Sequence, residues 1–107
     1  MMLLVITNMP DVASATVLAN AIIEQRAAAC VNLLAPCTSV YRWQEKIETA
    51  TEIPVLIKTT QAAYAQIETL IRATHPYELP EIIAVPVSEV SSEYLSWVTA
   101  ETQSYKE

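Results

Sequence analysis

The sequence predicts an α+β protein, namely a ferredoxin-like βαββαβ sandwich with an extra C-terminal helix and a long hairpin between its second and third strands. The first observation is the order of the apolar patterns, which alternate as strand, helix, strand, strand, helix, strand and helix. The second is that two right-handed crossovers around a hairpin place four antiparallel strands in one sheet, with two helices on one face. A chain of 107 residues forms one core, so residues 1–107 are predicted to be a single domain.

The first strand and the first helix are indicated by two different apolar patterns. Met2–Thr7 is continuously apolar, which is typical of a central strand that is buried on both faces. Asp11 is a suitable N-cap, because its carboxylate can accept hydrogen bonds from the first free N–H groups of a helix. The predicted helix extends to Ala28, with no glycine to end it. Its apolar stripe, at spacings of three and four, consists of Ala15, Leu18, Ala19, Ile22 and Ile23.

A hairpin over Ala29–Thr60 is the longest predicted unit. Its first limb ends at Trp43, its second begins near Ile47, and a polar turn joins them. Pro36 and Pro54 each remove a ladder donor, so they predict bulges or edge positions and a bent hairpin. Both limbs exceed the usual strand length of ~5–6 residues, and a small domain cannot cover them with its own helices. We therefore expect another copy of the chain to cover part of the hairpin.

The second half of the chain repeats the helix and strand patterns. A helix is predicted over Gln61–Thr74, with Thr60 as its cap, and it ends because His75 precedes a proline and avoids helical backbone. The remaining predicted elements are a loop at His75–Pro80, a strand at Glu81–Val87, a helix that begins at Ser91 or Ser92, and a frayed tail at Thr102–Glu107.

The apolar content is high for a small monomer. Hydrophobic residues make up 52% of the chain although it contains no Gly and no Phe. Average proteins reach about 45–50% apolar only when Gly is counted. The strands leave one face of the predicted sheet open, and the last helix can cover only part of it. Self-association into a closed ring is therefore expected.

Charge and cysteine usage limit the partners and the compartment. The net charge of −6 and the absence of a basic cluster argue against binding to nucleic acids or to anionic membranes. No apolar run approaches the ~20 residues that span a bilayer, and Met1–Ile6 is too short for a signal peptide. Cys30 and Cys37 are interpreted as reduced thiols of a cytoplasmic protein.

The sequence offers little for catalysis. With no Gly there is no glycine-rich phosphate cradle, and no base is placed beside a nucleophile, so we do not expect an enzyme. His75 is the only histidine, and Glu78 and Glu81 follow it closely, which is compatible with a divalent metal such as Cu or Zn. The alternative is a structural histidine at a helix end, where its charge meets the helix dipole.

Two basic residues lie within predicted strands. Lys58 and Arg42 are either exposed residues of alternating strands or residues that face a cleft. In the second case Lys58 is expected to pair with Glu52, Glu78 or Glu81, because a buried lysine needs a partner.

Six separated segments together cover almost the whole chain. They are TNMPD (Thr7–Asp11), AAACVN (Ala27–Asn32), SVYRWQEKIE (Ser39–Glu48), EIPVLIKTT (Glu52–Thr60), HPYELPEI (His75–Ile82) and EYLSW (Glu93–Trp97). In their order and spacing, these segments resemble the CutA family of divalent-cation-tolerance proteins.

The resemblance implies a ferredoxin-like subunit in a homotrimer, in which the long hairpins pair with strands of neighbouring subunits. It implies a role in tolerance to divalent metals, with no established catalytic activity, and a quaternary similarity to the nitrogen-signalling PII proteins. By this analogy His75 is the metal ligand. The residues expected at clefts between subunits are Cys30, Trp43, Lys58, Tyr77, Glu78 and Glu81.

The chain departs from the family pattern at its ligand and turn positions. Thr7 and Thr74 stand where some members carry a Cys and a second His, so only His75 remains of the three copper ligands proposed for those members. Glu45 stands where a hairpin-turn Gly is usual, and the sequence leaves the turn type open. Two further hypotheses stay open. One is a PII-like module that binds a small anionic or polar ligand, and the other is a scaffold for a partner protein. The contacts of the PII-like module would be Lys58, Arg42, Tyr77 and Trp43.

Overall fold

The longest strand, β4 (Lys46–Thr60), is the axis of a five-stranded antiparallel sheet. The computed structural model describes residues 1–103, and no helix among them is both long and apolar enough to cross a membrane. The other elements are β1 (Met2–Met9), α1 (Val12–Glu24), β2 (Cys30–Leu33), β3 (Cys37–Trp43), a 3₁₀ turn (Gln61–Ala63), α2 (Tyr64–Thr74), β5 (Ile83–Pro86) and α3 (Ser92–Glu101).

The sheet has the strand order β2-β4-β1-β5, with β3 paired to the other half of β4. The C-terminal half of β4 pairs with β2, and its N-terminal half pairs with β3. Between these pairings, three residues (34–36) lie opposite two (53–54), which is a bulge at Pro36 as predicted. The ferredoxin-like arrangement, the long hairpin and the extra C-terminal helix are all confirmed.

The core lies between the sheet and the two helices on one of its faces. Alternate residues of β1 and β4 point into it, and the inward stripes of α1 and α2 meet them there. The fully buried side chains of this layer include Val5, Leu18, Ile22, Ile57, Ile67 and Ile71.

The opposite face of the sheet is only partly covered. Leu4 and Ile6 of β1 point to this face and are half-buried. Their cross-strand partners on β5, Val85 and Ile83, are 44% and 49% exposed. The prediction that Met2–Thr7 is a central strand is confirmed, because β1 lies between β4 and β5. Burial on both faces is incomplete in a single chain, because α3 contacts β1 and β4 over only part of this face.

The first helix ends earlier than predicted, at Glu24 rather than at Ala28. Arg26 adopts a left-handed backbone (φ 56°) where a glycine is usual. The Ala27 N–H donates to Ile22 O and the Arg26 N–H donates to Ile23 O, both at 3.0 Å, which is a Schellman ending. The Arg26 guanidinium also donates to Ala100 O (2.8 Å), so one residue closes both α1 and α3.

The remaining boundaries are mostly close to those predicted. Asp11 and Ser91 are the N-caps of α1 and α3, and each accepts a hydrogen bond from the helix. Thr60 occupies a cap position, but its side chain makes no capping hydrogen bond, because a 3₁₀ turn precedes α2. At the C-terminal end Thr102 is 7% exposed and the Gln103 N–H donates to Arg26 O, so these two residues are not frayed. The rest of the predicted tail, residues 104–107, lies outside the described residues.

The hairpin turn has a backbone that favours glycine. Gln44 and Glu45 both have positive φ (50° and 68°) between the paired residues Trp43 and Lys46. Two positive φ values in a two-residue loop are typical of a type I′ turn, whose twist matches that of the flanking strands. The open question of the turn type is thus answered, and the turn uses residues that resist this backbone.

We expect Glu45→Gly to raise the free energy of unfolding by about 0.5–1 kcal/mol, because glycine adopts positive φ without steric cost. Chemical denaturation measures the change. Glu48→Gly is the matched control, since Glu48 lies in β4 with an extended backbone, and there glycine is expected to destabilise. A loss of stability in Glu45→Gly would contradict the presence of backbone strain at this turn.

Candidate functional site

A concavity of about 860 Å³ lies between the turn-proximal half of the hairpin and the loop that follows α2. Its walls combine aromatic and acidic side chains, with one basic residue, Arg42. The aromatic residues are Tyr41, Trp43 and Tyr77, and the acidic residues are Glu52, Glu78 and Glu81.

The hairpin wall is positioned by the register of β3 and β4. Cys37 pairs with Glu52 and Trp43 pairs with Lys46, so Tyr41, Trp43 and Glu52 belong to the same face of the hairpin. Glu52 is only 8% exposed, whereas Tyr41 and Trp43 are 45% and 37% exposed. The hairpin therefore presents a buried carboxylate and two accessible rings to the concavity.

The loop wall is tied to the end of β1 by two contacts at Asn8. The His75 Nε2–H donates to Asn8 O (2.6 Å), and the Asn8 amide donates to Glu81 Oε1 (2.7 Å). The Tyr77 N–H donates to His75 Nδ1 (3.1 Å), which selects this tautomer of the imidazole. The rings of His75 and Tyr77 also pack, with centroids 4.6 Å apart. His75 thus holds Tyr77 and Glu81 at the concavity.

Tyr77 is linked to the buried carboxylate of the opposite wall. Two effects raise the pKa of Tyr77 to about 12. The larger is the partial burial of its phenol, and the second is the hydrogen bond that its hydroxyl donates to Glu52. The phenol therefore stays neutral throughout the physiological range and serves Glu52 as an uncharged donor.

We expect a late step near pH 12 in an ultraviolet titration of the tyrosines, and Tyr77→Phe removes it. The folded protein keeps this proton where the unfolded chain releases it near pH 10. Stability from this group is therefore intact below pH 10 and is lost between pH 10 and 12. Glu52→Gln moves the late step toward lower pH. Titration of all tyrosines near pH 10 in the folded protein would contradict the assignment.

The structure separates the predicted cleft residues into two groups. Trp43, Tyr77, Glu78 and Glu81 line the concavity. Cys30 and Lys58 do not, because they are cross-strand partners on β2 and the far half of β4, on the open face of the sheet. One chain therefore does not bring all six together.

Within residues 1–103 of one chain, Lys58 has no acidic partner, and its pairing with an acid across a subunit boundary stays a prediction. No carboxylate oxygen of these residues lies within 4.0 Å of the Lys58 ammonium. The ion pairs among these residues are Arg26–Glu101 and Arg72–Glu68. The Lys58 Nζ instead lies 6.0 Å from the centre of the Tyr94 ring of α3. Lys58 is only partly buried on the open face, so it does not need a buried counter-charge.

The geometry gives His75 a structural role. It is 9% exposed and both ring nitrogens are hydrogen-bonded, so neither is free for a metal in this conformation. Within residues 1–103, no three His, Cys, Asp or Glu side chains are grouped closely enough to hold a metal ion. His75 as a ligand stays a prediction, and it requires a hydrogen bond to be given up.

Sequence reasoning gave too little weight to Glu52 and Asn8. The sequence points to Glu52 only as a partner for Lys58 and as the start of one family segment, and to Asn8 only as part of the TNMPD segment. Counting the hairpin register outward from the turn identifies Glu52 as a residue on the face of Tyr41 and Trp43. The contacts of Asn8 join residues 67 and 73 positions apart, and no local pattern predicts them.

The comparisons with known proteins agree over almost the entire chain. A family model described as CutA1 divalent ion tolerance protein matches residues 3–101. The divalent-cation tolerance protein CutA of Thermus thermophilus is 40% identical over 98 residues, which cover 92% of this chain and 95% of that protein.

Solved structures show the same similarity. The divalent cation tolerance protein (Cut A1) from Thermus thermophilus has a TM-score of 0.94 at 39% identity, covering 96% of this chain and 100% of that one. The periplasmic divalent cation tolerance protein CutA from Archaeoglobus fulgidus has a TM-score of 0.93 at 31% identity, with the same coverage. With the fold, the motifs and the family model in agreement, this chain belongs to the CutA1 divalent ion tolerance family.

Proposed function

We propose that this chain is a non-catalytic divalent-cation tolerance protein that acts as a homotrimer and binds Cu or Zn weakly. The observation that carries the proposal is the convergence of three carboxylates, Glu52, Glu78 and Glu81, on one concavity. Carboxylate oxygens bind divalent cations, but one chain supplies no complete ligand set within residues 1–103. A neighbouring subunit would complete the set, and His75 would join it only by releasing the Tyr77 N–H.

Self-assembly is supported by the exposed apolar surface of the sheet. Ile83 and Val85 on the open face are about half exposed, and Val40 and Ile47 near the hairpin turn are 67% and 70% exposed. A monomer that leaves these strands uncovered loses the hydrophobic stabilisation that a ring of subunits gains. The trimer in particular is the assembly that the family resemblance implies.

We place the protein in the cytoplasm on the state of its thiols. Cys30 and Cys37 are both free and only partly buried. Accessible unpaired thiols are typical of reducing compartments. Cell fractionation tests this placement, and recovery in the periplasm would overturn it.

The direct test combines light scattering with calorimetric titration of Cu(II) and Zn(II). A mass near three times 11.8 kDa is expected, with metal binding that weakens in Glu52→Gln. Glu24→Gln is the matched control, because it removes one exposed carboxylate at the end of α1, far along the chain from the concavity. A monomer in solution, or no heat of metal binding, would overturn the corresponding part of the proposal.

A second candidate function, a PII-like module that binds a small ligand, is favoured by the size of the concavity. A volume of about 860 Å³ far exceeds a metal ion and falls within the range of about 300–1,000 Å³ that organic ligands occupy. The volume alone leaves the charge of such a ligand open, and the side chains that line the concavity determine it.

A further inference from the structure

We infer that the concavity lined by Tyr41, Trp43, Glu52 and Tyr77 binds a small organic ammonium compound, of the class of aliphatic amines and diamines. The inference rests on the proposal that this concavity is the functional site. It assigns a cationic ligand where the PII-like hypothesis from the sequence has an anionic or polar one.

No basic side chain of the described residues pairs with the carboxylate of Glu52. This carboxylate is more than nine-tenths buried, and within residues 1–103 no basic group lies within 4.0 Å of it. The hydroxyl of Tyr77 gives it one neutral hydrogen bond, which leaves further acceptor positions on its two oxygens. A buried carboxylate without a counter-ion is costly, and an ammonium group supplies both the charge and the missing donors.

The aromatic lining of the concavity also suits a cation with an alkyl chain. Tyr41, Trp43 and Tyr77 are each between 36% and 45% exposed, so their rings are accessible although they flank a buried acid. Rings of this kind attract cations through their π faces, and alkyl chains pack against them without a desolvation cost. Side chains that merely filled a core would not leave three rings accessible around one carboxylate.

An anion fits this position poorly, because three carboxylates against a single Arg42 repel it. A divalent metal needs several ligand atoms at about 2.0–2.6 Å at the same time, and the described residues of one chain group no such set, so a metal here depends on ligands from a neighbouring subunit. An alkylammonium makes longer and more widely distributed contacts, which suit carboxylates spread around 860 Å³.

The test is calorimetric titration with 1,5-diaminopentane in the presence of a chelator, with 1,5-pentanediol as the uncharged probe of equal length. The diamine is expected to bind and the diol is not. Glu52→Gln is expected to weaken diamine binding roughly ten- to a hundredfold, since it removes a charge-assisted hydrogen bond. Glu24→Gln, which removes an exposed acid on α1, leaves the affinity unchanged.

A second pair of variants tests the rings. Trp43→Leu is expected to weaken diamine binding about two- to tenfold. Trp97→Leu, at a tryptophan of similar exposure on α3, has no effect. Circular dichroism confirms that all variants are folded before titration.

Three outcomes would overturn the inference. They are no heat with the diamine, equal binding of the diol, and unchanged affinity in Glu52→Gln. If a basic side chain of a second copy already neutralises Glu52, the diamine fails to bind and Glu52→Gln weakens the assembly seen by light scattering. A trimer that binds metal but does not bind the diamine would overturn this inference alone. A monomer that binds no metal would overturn the proposed function.

Discussion

Replacing Ile22 with alanine is expected to lower the free energy of unfolding by about 2–5 kcal/mol. Ile22 is fully buried on the inner stripe of α1 and belongs to the core cluster that joins the helices to β1 and β4. The lost contacts and the cavity left behind both contribute, because a packed core relaxes only in part. Urea denaturation followed by circular dichroism measures the change.

The neighbouring residue provides a matched control for this variant. Ile23 lies in the same helix one residue further on, but it is 42% exposed. Ile23→Ala is expected to change stability by less than about 1 kcal/mol, because the lost contact area is offset by the higher helix propensity of alanine. Equal losses in the two variants would show that the outer surface of α1 is also buried, for example against another molecule.

Replacing His75 with alanine is expected to cost about 2–4 kcal/mol in the free energy of unfolding, even with all metal removed. The change removes a buried ring and leaves Asn8 O and the Tyr77 N–H without their partners. The loop that carries Tyr77 and Glu81 then loses its main attachment to β1. Thermal and chemical denaturation in a chelator measure the loss.

The same variant separates a structural histidine from a metal ligand. A structural role predicts the same loss of stability in chelator and in excess Zn(II). A ligand role predicts a loss that appears only with metal, since bound metal stabilises the native state by mass action. Glu81→Ala is the control for the loop, because it removes only the partly exposed Asn8–Glu81 contact and is expected to cost less than His75→Ala.

The fold was predictable where a local sequence pattern has only one physical interpretation. The stripe of α1 repeats at helical spacing, Asp11 and Ser91 have short oxygen-bearing side chains at helix starts, and Pro36 cannot donate within a ladder. Each of these features determines the structure of only a few neighbouring residues in the sequence. The structure accordingly reproduces the caps at Asp11 and Ser91 and the bulge at Pro36.

Features that depend on distant contacts were not predictable in the same way. The role of His75 depends on Asn8, 67 positions away, and the burial of Glu52 depends on the loop that β1 holds against the hairpin. The end of α1 was missed for a different reason. Arg26 has the left-handed backbone at the end of α1. A glycine at this position usually marks the end of a helix in a sequence, and this chain contains no glycine.

The dual role of Arg26 limits how this glycine-free chain can be stabilised. At Gln44 and Glu45 a glycine removes backbone strain and sacrifices no contact that the fold uses. At Arg26 the same substitution relaxes the backbone but releases the guanidinium from Ala100 O, so the last turn of α3 loses its cap. The residue that ends the first helix also fastens the last one. The first and last helices are thus coupled through a single residue, and mutations there are expected to act on both helices together.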